Sequence, residues 1–296
     1  MPKVHTADIL PNTETLPLEI ERPRRMKLKY QLPRVYEKLL PGDLLQFSPE
    51  EKKATCDTCA MAKPRHRGKV HYREDLKCCT FHPFLPNYLV GALLLEPANP
   101  GTAVLQDKIA RREYALPIGM VAPIRYQLEF GERKENDFGQ REEWLCPYYN
   151  SENQNCNVWR NRGVVCTTFH CKSSYGPAGL RFWDQFSDYL SYVEMALLEE
   201  SLVMLDFSPR QIIDLLDYLN RSEGTSAEKT SWVLPKEKAK LLWNGYFDDQ
   251  ETFYKKTFAI VSGLDKRSFH ELLGEQGEKL LEQVFRSQKK LEEMKL

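Results

Sequence analysis

The sequence predicts an α-rich α+β protein: a cysteine-rich metal-binding domain with a short β-hairpin, followed by a helical domain. Three observations carry that expectation. All eight cysteines of the 296-residue chain lie between Cys56 and Cys171. Ile124, Tyr126, Leu128 and Phe130 alternate with Arg125, Gln127 and Glu129, the period of two of a half-buried strand. After Leu180, apolar residues recur at spacings of three and four, the period of an amphipathic helix. The expected boundaries are an extended proline-rich arm over 1–49, a cysteine-cluster metal-binding domain over 50–178 and a helical domain over 179–296.

Composition sets the class. The chain is 42% hydrophobic and 28% charged, which is ordinary for a soluble globular protein. It is long enough to bury a core, so the cysteines are not needed to rescue a small fold. Lys+Arg and Asp+Glu both number 42, so the net charge gives no argument for a nucleic-acid partner or an anionic membrane. The longest apolar run, residues 89–95, is too short to span a bilayer. The first ten residues lack the apolar core of a signal peptide, so a cytoplasmic location is expected. In that compartment thiols stay reduced, and clustered cysteines bind metal rather than pair as disulfides.

Taken in order, residues 1–50 are punctuated by Pro2, Pro11, Pro17, Pro23, Pro33, Pro41 and Pro49, which leaves room for at most one short helix. The basic run 22–29 reads as a solvated arm that packs through Met26 and Leu28, since no aromatic residues interleave to stack on bases. Residues 63–73 form a basic loop between cysteine pairs. His66, His71 and His82 read as surface residues or as supports behind the ligands. Pro86-Asn87 opens a helix whose apolar positions include Tyr88, Leu89, Ala92 and Leu93. Residues 96–107, with Pro97, Pro100 and Gly101, read as a loop. The strand over 124–130 turns at 131–137, and a second strand over 142–145 would return to deliver Cys146. Beyond Leu180, Phe182, Phe186, Tyr189, Leu190, Val193 and Leu197 form a core stripe. Ser208-Pro209-Arg210-Gln211 is a capped start for a helix over 212–219. A polar loop spans 220–231. Helices follow over 235–243, 249–261 and 266–273, the last capped by Asp265. A final helix over 275–294 presents Leu280, Leu281, Val284, Phe285 and Leu291, and must dock on this chain or on a protein partner.

The cysteines carry the chemistry. In sequence they fall into two groups of four: Cys56, Cys59, Cys78 and Cys79, then Cys146, Cys156, Cys166 and Cys171. Four thiolates complete a tetrahedral zinc site or hold one iron–sulfur cluster. The Cys56-x-x-Cys59 turn brings two thiolates to one metal at low chain-entropy cost. Cys78 and Cys79 are adjacent, and in extended backbone their side chains diverge. They either bridge two neighbouring sites or serve one through a kink. Cys171 follows His170, but adjacent residues rarely face each other, and no nucleophile–base arrangement is legible.

This pattern resembles the YkgJ-like cysteine-cluster proteins, described as zinc- or iron-chelating. The likeness rests on Cys56-x-x-Cys59, Cys78-Cys79, Cys146-Pro147-Tyr148, Cys156-x-Val158-Trp159-x-x-Arg162-x-x-x-Cys166 and Phe169-x-Cys171. The resemblance implies all eight cysteines as ligands, with a 4Fe-4S cluster or zinc as cofactor. Gly163 stands where the family usually has proline, Thr167 where arginine is frequent, and the stretch from Cys59 to Cys78 is longer than usual. A related branch, the flagellin lysine N-methylases, is associated with an iron–sulfur cluster and S-adenosylmethionine.

The leading expectation is a metal- or iron–sulfur-binding protein with a structural or redox centre. The alternatives are an iron–sulfur-dependent modifying enzyme of methylase type, and a zinc-stabilised interaction module acting through its C-terminal helix. The only glycine-rich stretch near the cysteines, residues 173–179, lacks the preceding strand that a cofactor loop needs.

Overall fold

The computed structural model of the chain describes residues 27–51, 59–62 and 72–295. Cys56, His66, His71, residues 63–71 of the basic loop and the arm before Lys27 lie outside the described residues.

Residues 27–49 are not an extended arm. They form helix α1 (Leu28–Gln31), a 3₁₀ turn (Arg34–Glu37) and helix α2 (Gly42–Gln46), with Pro33 and Pro41 just before the second and third of these. Proline suits that position, because its fixed φ opens a helix and its missing N–H is not needed there. Leu28, Leu32, Tyr36, Leu40 and Leu44 are buried, so this segment contributes to the core. The expected packing of Leu28 is observed.

Strand β1 (Leu85–Pro86) leads into helix α3 (Asn87–Leu94), every residue of which is buried. Residues 96–107 are not a loop: helix α4 (Pro100–Arg111) begins there, with Asn99 Oδ1 accepting from the Gly101 N–H and Pro100 in the first turn. Strands β2 (Ala115–Leu116) and β3 (Gly119–Met120) complete a small antiparallel sheet in the order β1-β3-β2.

The expected strand over 124–130 is helix α5 (Ile124–Gly131). The alternation misleads because 124/128 and 126/130 are also helical i,i+4 pairs. Arg125 and Glu129, the residues between, form an i,i+4 ion pair at 2.9 Å. Both apolar faces find cover. Ile124 approaches Gly224, while Tyr126 stacks on His82 and Phe130 meets Trp144. The expected return strand is a 3₁₀ turn (Glu142–Trp144). The hairpin near the cysteines lies just beyond it, as β4 (Tyr149–Asn150) paired with β5 (Asn155–Cys156).

Helix α6 (Val164–Thr168) carries Cys166. Helix α7 (Gly176–Val203) buries the whole predicted stripe. Helix α8 (Pro209–Leu216) has the predicted Ser208/Gln211 capping box. The polar stretch after it contains the short helix α9 (Ser226–Thr230), with its own Thr225/Glu228 box. Helices α10 (Lys236–Leu242) and α11 (Gln250–Gly263) follow as expected. The last two expected helices run on as α12 (Lys266–Glu293), with non-helical backbone at Gly274 and Asp265 capping Ser268. The apolar face of α12 packs along α7, so this chain supplies the cover it requires. No helix among the described residues is long and apolar enough to cross a membrane.

One hydrophobic cluster runs from Leu28 to Leu291, across the expected boundary at residue 178. Helices α3 and α11 cross closely at Gly91, where a Cβ would lie 2.0 Å from the Tyr254 carbonyl oxygen. Tyr254 Oη donates to Leu116 O at 2.7 Å and Trp243 Nε1 to Ala115 O at 3.2 Å, so the C-terminal helices also hold β2. These buried bonds fix the scaffold from which the cysteine segments project.

Candidate metal centre

Seven of the eight cysteines are described, and all seven are half-buried thiols. Four short segments carry them. Cys59 opens a turn, and Tyr72 N–H returns to that turn by donating to Met61 O at 2.9 Å. Cys78 and Cys79 end the turn 74–80, in which Lys77 takes a positive φ of 55°. Cys146 follows the 3₁₀ turn, Cys156 sits on β5, Cys166 on α6, and Cys171 just beyond it.

Three bonds lock the Cys78-Cys79 turn to the hairpin segment. Cys146 N–H donates to Cys79 O at 2.7 Å. Tyr149 Oη donates to Asp75 O at 2.7 Å, and Lys77 Nζ to Gln154 O at 2.8 Å. Arg162 locks the next piece. Its guanidinium lies 3.5 Å over Trp159, and Nε and Nη1 donate to Trp159 O and Cys166 O, each at 2.9 Å. At Gly163 an added Cβ would lie 2.4 Å from Phe84 O, which gives a steric reason for glycine where the resembled family has proline.

The backbone kinks at Lys77, just before the adjacent pair. The Cys78 thiol is hydrogen-bonded to Cys79, and this bond together with burial pushes it well above the ordinary cysteine value. Burial, then Cys166 and more weakly Cys156, pushes the Cys146 thiol up as well. Burial, then Cys59 and Cys78, pushes Cys171 to about 11. The Tyr72 phenol is raised by burial and then by Cys78, Cys171 and Cys59. Cys59, Cys78 and Cys171 thus lie near enough to perturb a common neighbourhood, as do Cys146, Cys156 and Cys166. The Cys79 thiol is hydrogen-bonded to Cys78, and its backbone carbonyl accepts from the Cys146 N–H. Cys59 and Cys171 line a small recess of about 70 Å³, Cys146 and Cys166 line a cavity of about 920 Å³, and Cys78, Cys79 and Cys156 line both.

The donor set suits a thiophilic metal. Among the described residues, however, no three His, Cys, Asp or Glu side chains already converge on a single ion position. Among the described residues, His82 and His170 are engaged elsewhere. His82 is buried and stacks on Tyr126 at 4.1 Å, with its Nε2–H donated to Leu145 O at 3.0 Å. His170 stacks on Trp183 at 4.0 Å. Burial lowers both to about 4, so both are neutral at pH 7.

Sequence reasoning missed Glu51. Its buried carboxylate accepts from Ser173 Oγ at 2.6 Å, Ser174 N–H at 2.6 Å and Trp183 Nε1 at 3.0 Å. It thereby ties the chain leading towards Cys56 to the chain leaving Cys171. The only sequence signal was the pairing of an acidic residue with Ser173-Ser174 and Trp183, more than 120 positions away. No family model, curated protein or solved structure matches the chain.

Proposed function

We propose that the chain is a metal-binding protein that holds an iron–sulfur cluster or zinc through cysteine thiolates, in a structural or redox role. The observation that carries this reading is the gathering of seven half-buried thiols from four segments, with the Cys78-Cys79 turn tied to the Cys146 and hairpin segment by a backbone bond and by the Tyr149 and Lys77 side chains. With Cys56 joined to Cys59 by the Cys-x-x-Cys spacing, one centre is assigned to Cys56, Cys59, Cys78 and Cys171. The other is assigned to Cys79, Cys146, Cys156 and Cys166. A bound metal would supply electron transfer if iron, or a fixed tetrahedral crosslink if zinc.

The chain's own part is to present the thiols and to give up their protons. Raised thiol pKa values mean that the groups are protonated at neutral pH, so metal entry releases protons and weakens as pH falls. The resemblance to YkgJ-like proteins supports the same ligand set, and a reducing, cytoplasmic setting suits it. The charged outer face of α12 is the surface left for a protein partner.

Anaerobic purification followed by visible absorption and metal analysis tests the reading. Broad visible absorption with iron and acid-labile sulfide identifies a cluster, and colourless protein with stoichiometric zinc identifies a zinc centre. Protein that carries neither metal overturns it.

A further inference from the structure

The 920 Å³ cavity is bordered by Cys78, Cys79, Cys146, Cys156 and Cys166, and it is larger than thiolate ligation of a metal requires. It falls within the roughly 300–1,000 Å³ of small-molecule sites. Aromatic rings run along its wall in series: Phe81 to Phe130 at 5.6 Å, Phe130 to Phe138 at 6.0 Å, and Phe138 to Phe169 at 6.3 Å. Phe169 is 47% exposed, so the series reaches solvent at the mouth.

Arg133, Lys134 and Arg162 line the same cavity, and none of them is ion-paired among the described residues. Elsewhere the exposed arginines Arg210, Arg267 and Arg286 each hold a carboxylate four residues away. Arg133 instead lies 4.2 Å over Phe130, and Arg162 lies over Trp159, so each guanidinium is held flat on a ring of the wall. Two carboxylates also line the cavity. Glu51 is already engaged by Ser173, Ser174 and Trp183, and Glu135 is exposed to solvent. Stacked guanidinium groups keep free N–H donors that suit an anion, while the rings suit a flat apolar body.

We infer that this cavity binds an anionic aromatic small molecule, with its ring among Phe130, Phe138, Phe169 and Trp159 and its anionic group on Arg133, Lys134 and Arg162. The competing role for these cations is to offset the negative charge of metal-bound thiolates.

Fluorescence titration of the anaerobically purified full chain separates the two roles. The probes are 8-anilinonaphthalene-1-sulfonate and its uncharged parent, N-phenyl-1-naphthylamine. The expected result is one saturable site that takes the sulfonate about tenfold more tightly than the parent, equivalent to about 1.4 kcal/mol. Arg133→Ala/Lys134→Ala, at two exposed positions, removes that preference and leaves binding of the parent unchanged. Phe169→Ala weakens both probes. Equal affinity for the two probes in the unmodified chain overturns the inference. So does a double variant that loses metal but keeps its sulfonate preference. Metal is measured in the same samples, so metal-free protein that still prefers the sulfonate would refute the metal reading and leave this one standing.

Discussion

Glu194 lies on α7, and its carboxyl accepts from the Val164 N–H that opens the Cys166 helix and is hydrogen-bonded to Tyr36; Tyr36 in turn shares a 2.7 Å bond with Tyr88. Burial raises its pKa to about 8. The folded value exceeds the unfolded one, so folding favours the protonated acid. The stability this contributes is full below about pH 4.5 and is lost as pH rises through about 8. Glu194→Gln keeps the neutral shape, so it should abolish this part of the pH dependence and stabilise the protein above about pH 8 by a few kcal/mol. Urea unfolding on either side of that pH checks this, and equal pH slopes in the two proteins would contradict it. Glu51→Ala removes the acceptor of the buried Trp183 Nε1–H and Ser173 O–H donors and should cost about 3 kcal/mol. It should also loosen the centre that contains Cys171, seen as faster loss of metal to a chelator. Neither carboxyl was legible in the sequence, because their roles come from partners far away along the chain. The clustering of the cysteines was legible in the sequence, and a thiolate's affinity for soft metals belongs to the residue type itself.

Elements were legible where one face alone is apolar and the caps are strong. The stripe of α7 and the Ser208 box of α8 were read correctly for that reason. Helix α5 was not, because both its faces are covered and a two-sided helix mimics a strand's alternation over seven residues. Helix α4 hid behind two prolines and a glycine, although Asn99-Pro100 is itself a cap and first-turn pair. The arm failed in the same way: Pro33 and Pro41 precede a 3₁₀ turn and a helix rather than prevent them. The crossing of α3 and α11 was not visible at all, since Gly91 looks like any helical glycine until Tyr254 is placed against it. Gly91→Ala must push two backbones apart and should destabilise by about 3 kcal/mol, the upper part of the range for overpacking. In a chain of this size that is a fall in Tm of several degrees. An unchanged Tm would contradict the crossing.

Across the molecule, the helices after residue 179 share one core with the segments before the cysteines, through α3, β2 and α11. Limited proteolysis near residue 178 should therefore leave the two pieces associated under native conditions, and two freely separating folded fragments would contradict that core. His82 and His170 add an acid limit. Burial depresses both, so the stability they contribute is present above about pH 6.5 and is lost as pH falls through about 4. The central claim is that two centres divide the cysteines across the Cys78-Cys79 step. Metal content per chain, measured in anaerobically purified wild type, Cys166→Ser and Cys171→Ser, tests it most directly. The expected result is that each single variant loses the metal of one centre and keeps the other, while a variant with both substitutions loses both. A wild type without metal, or single variants that keep the full complement, would contradict it.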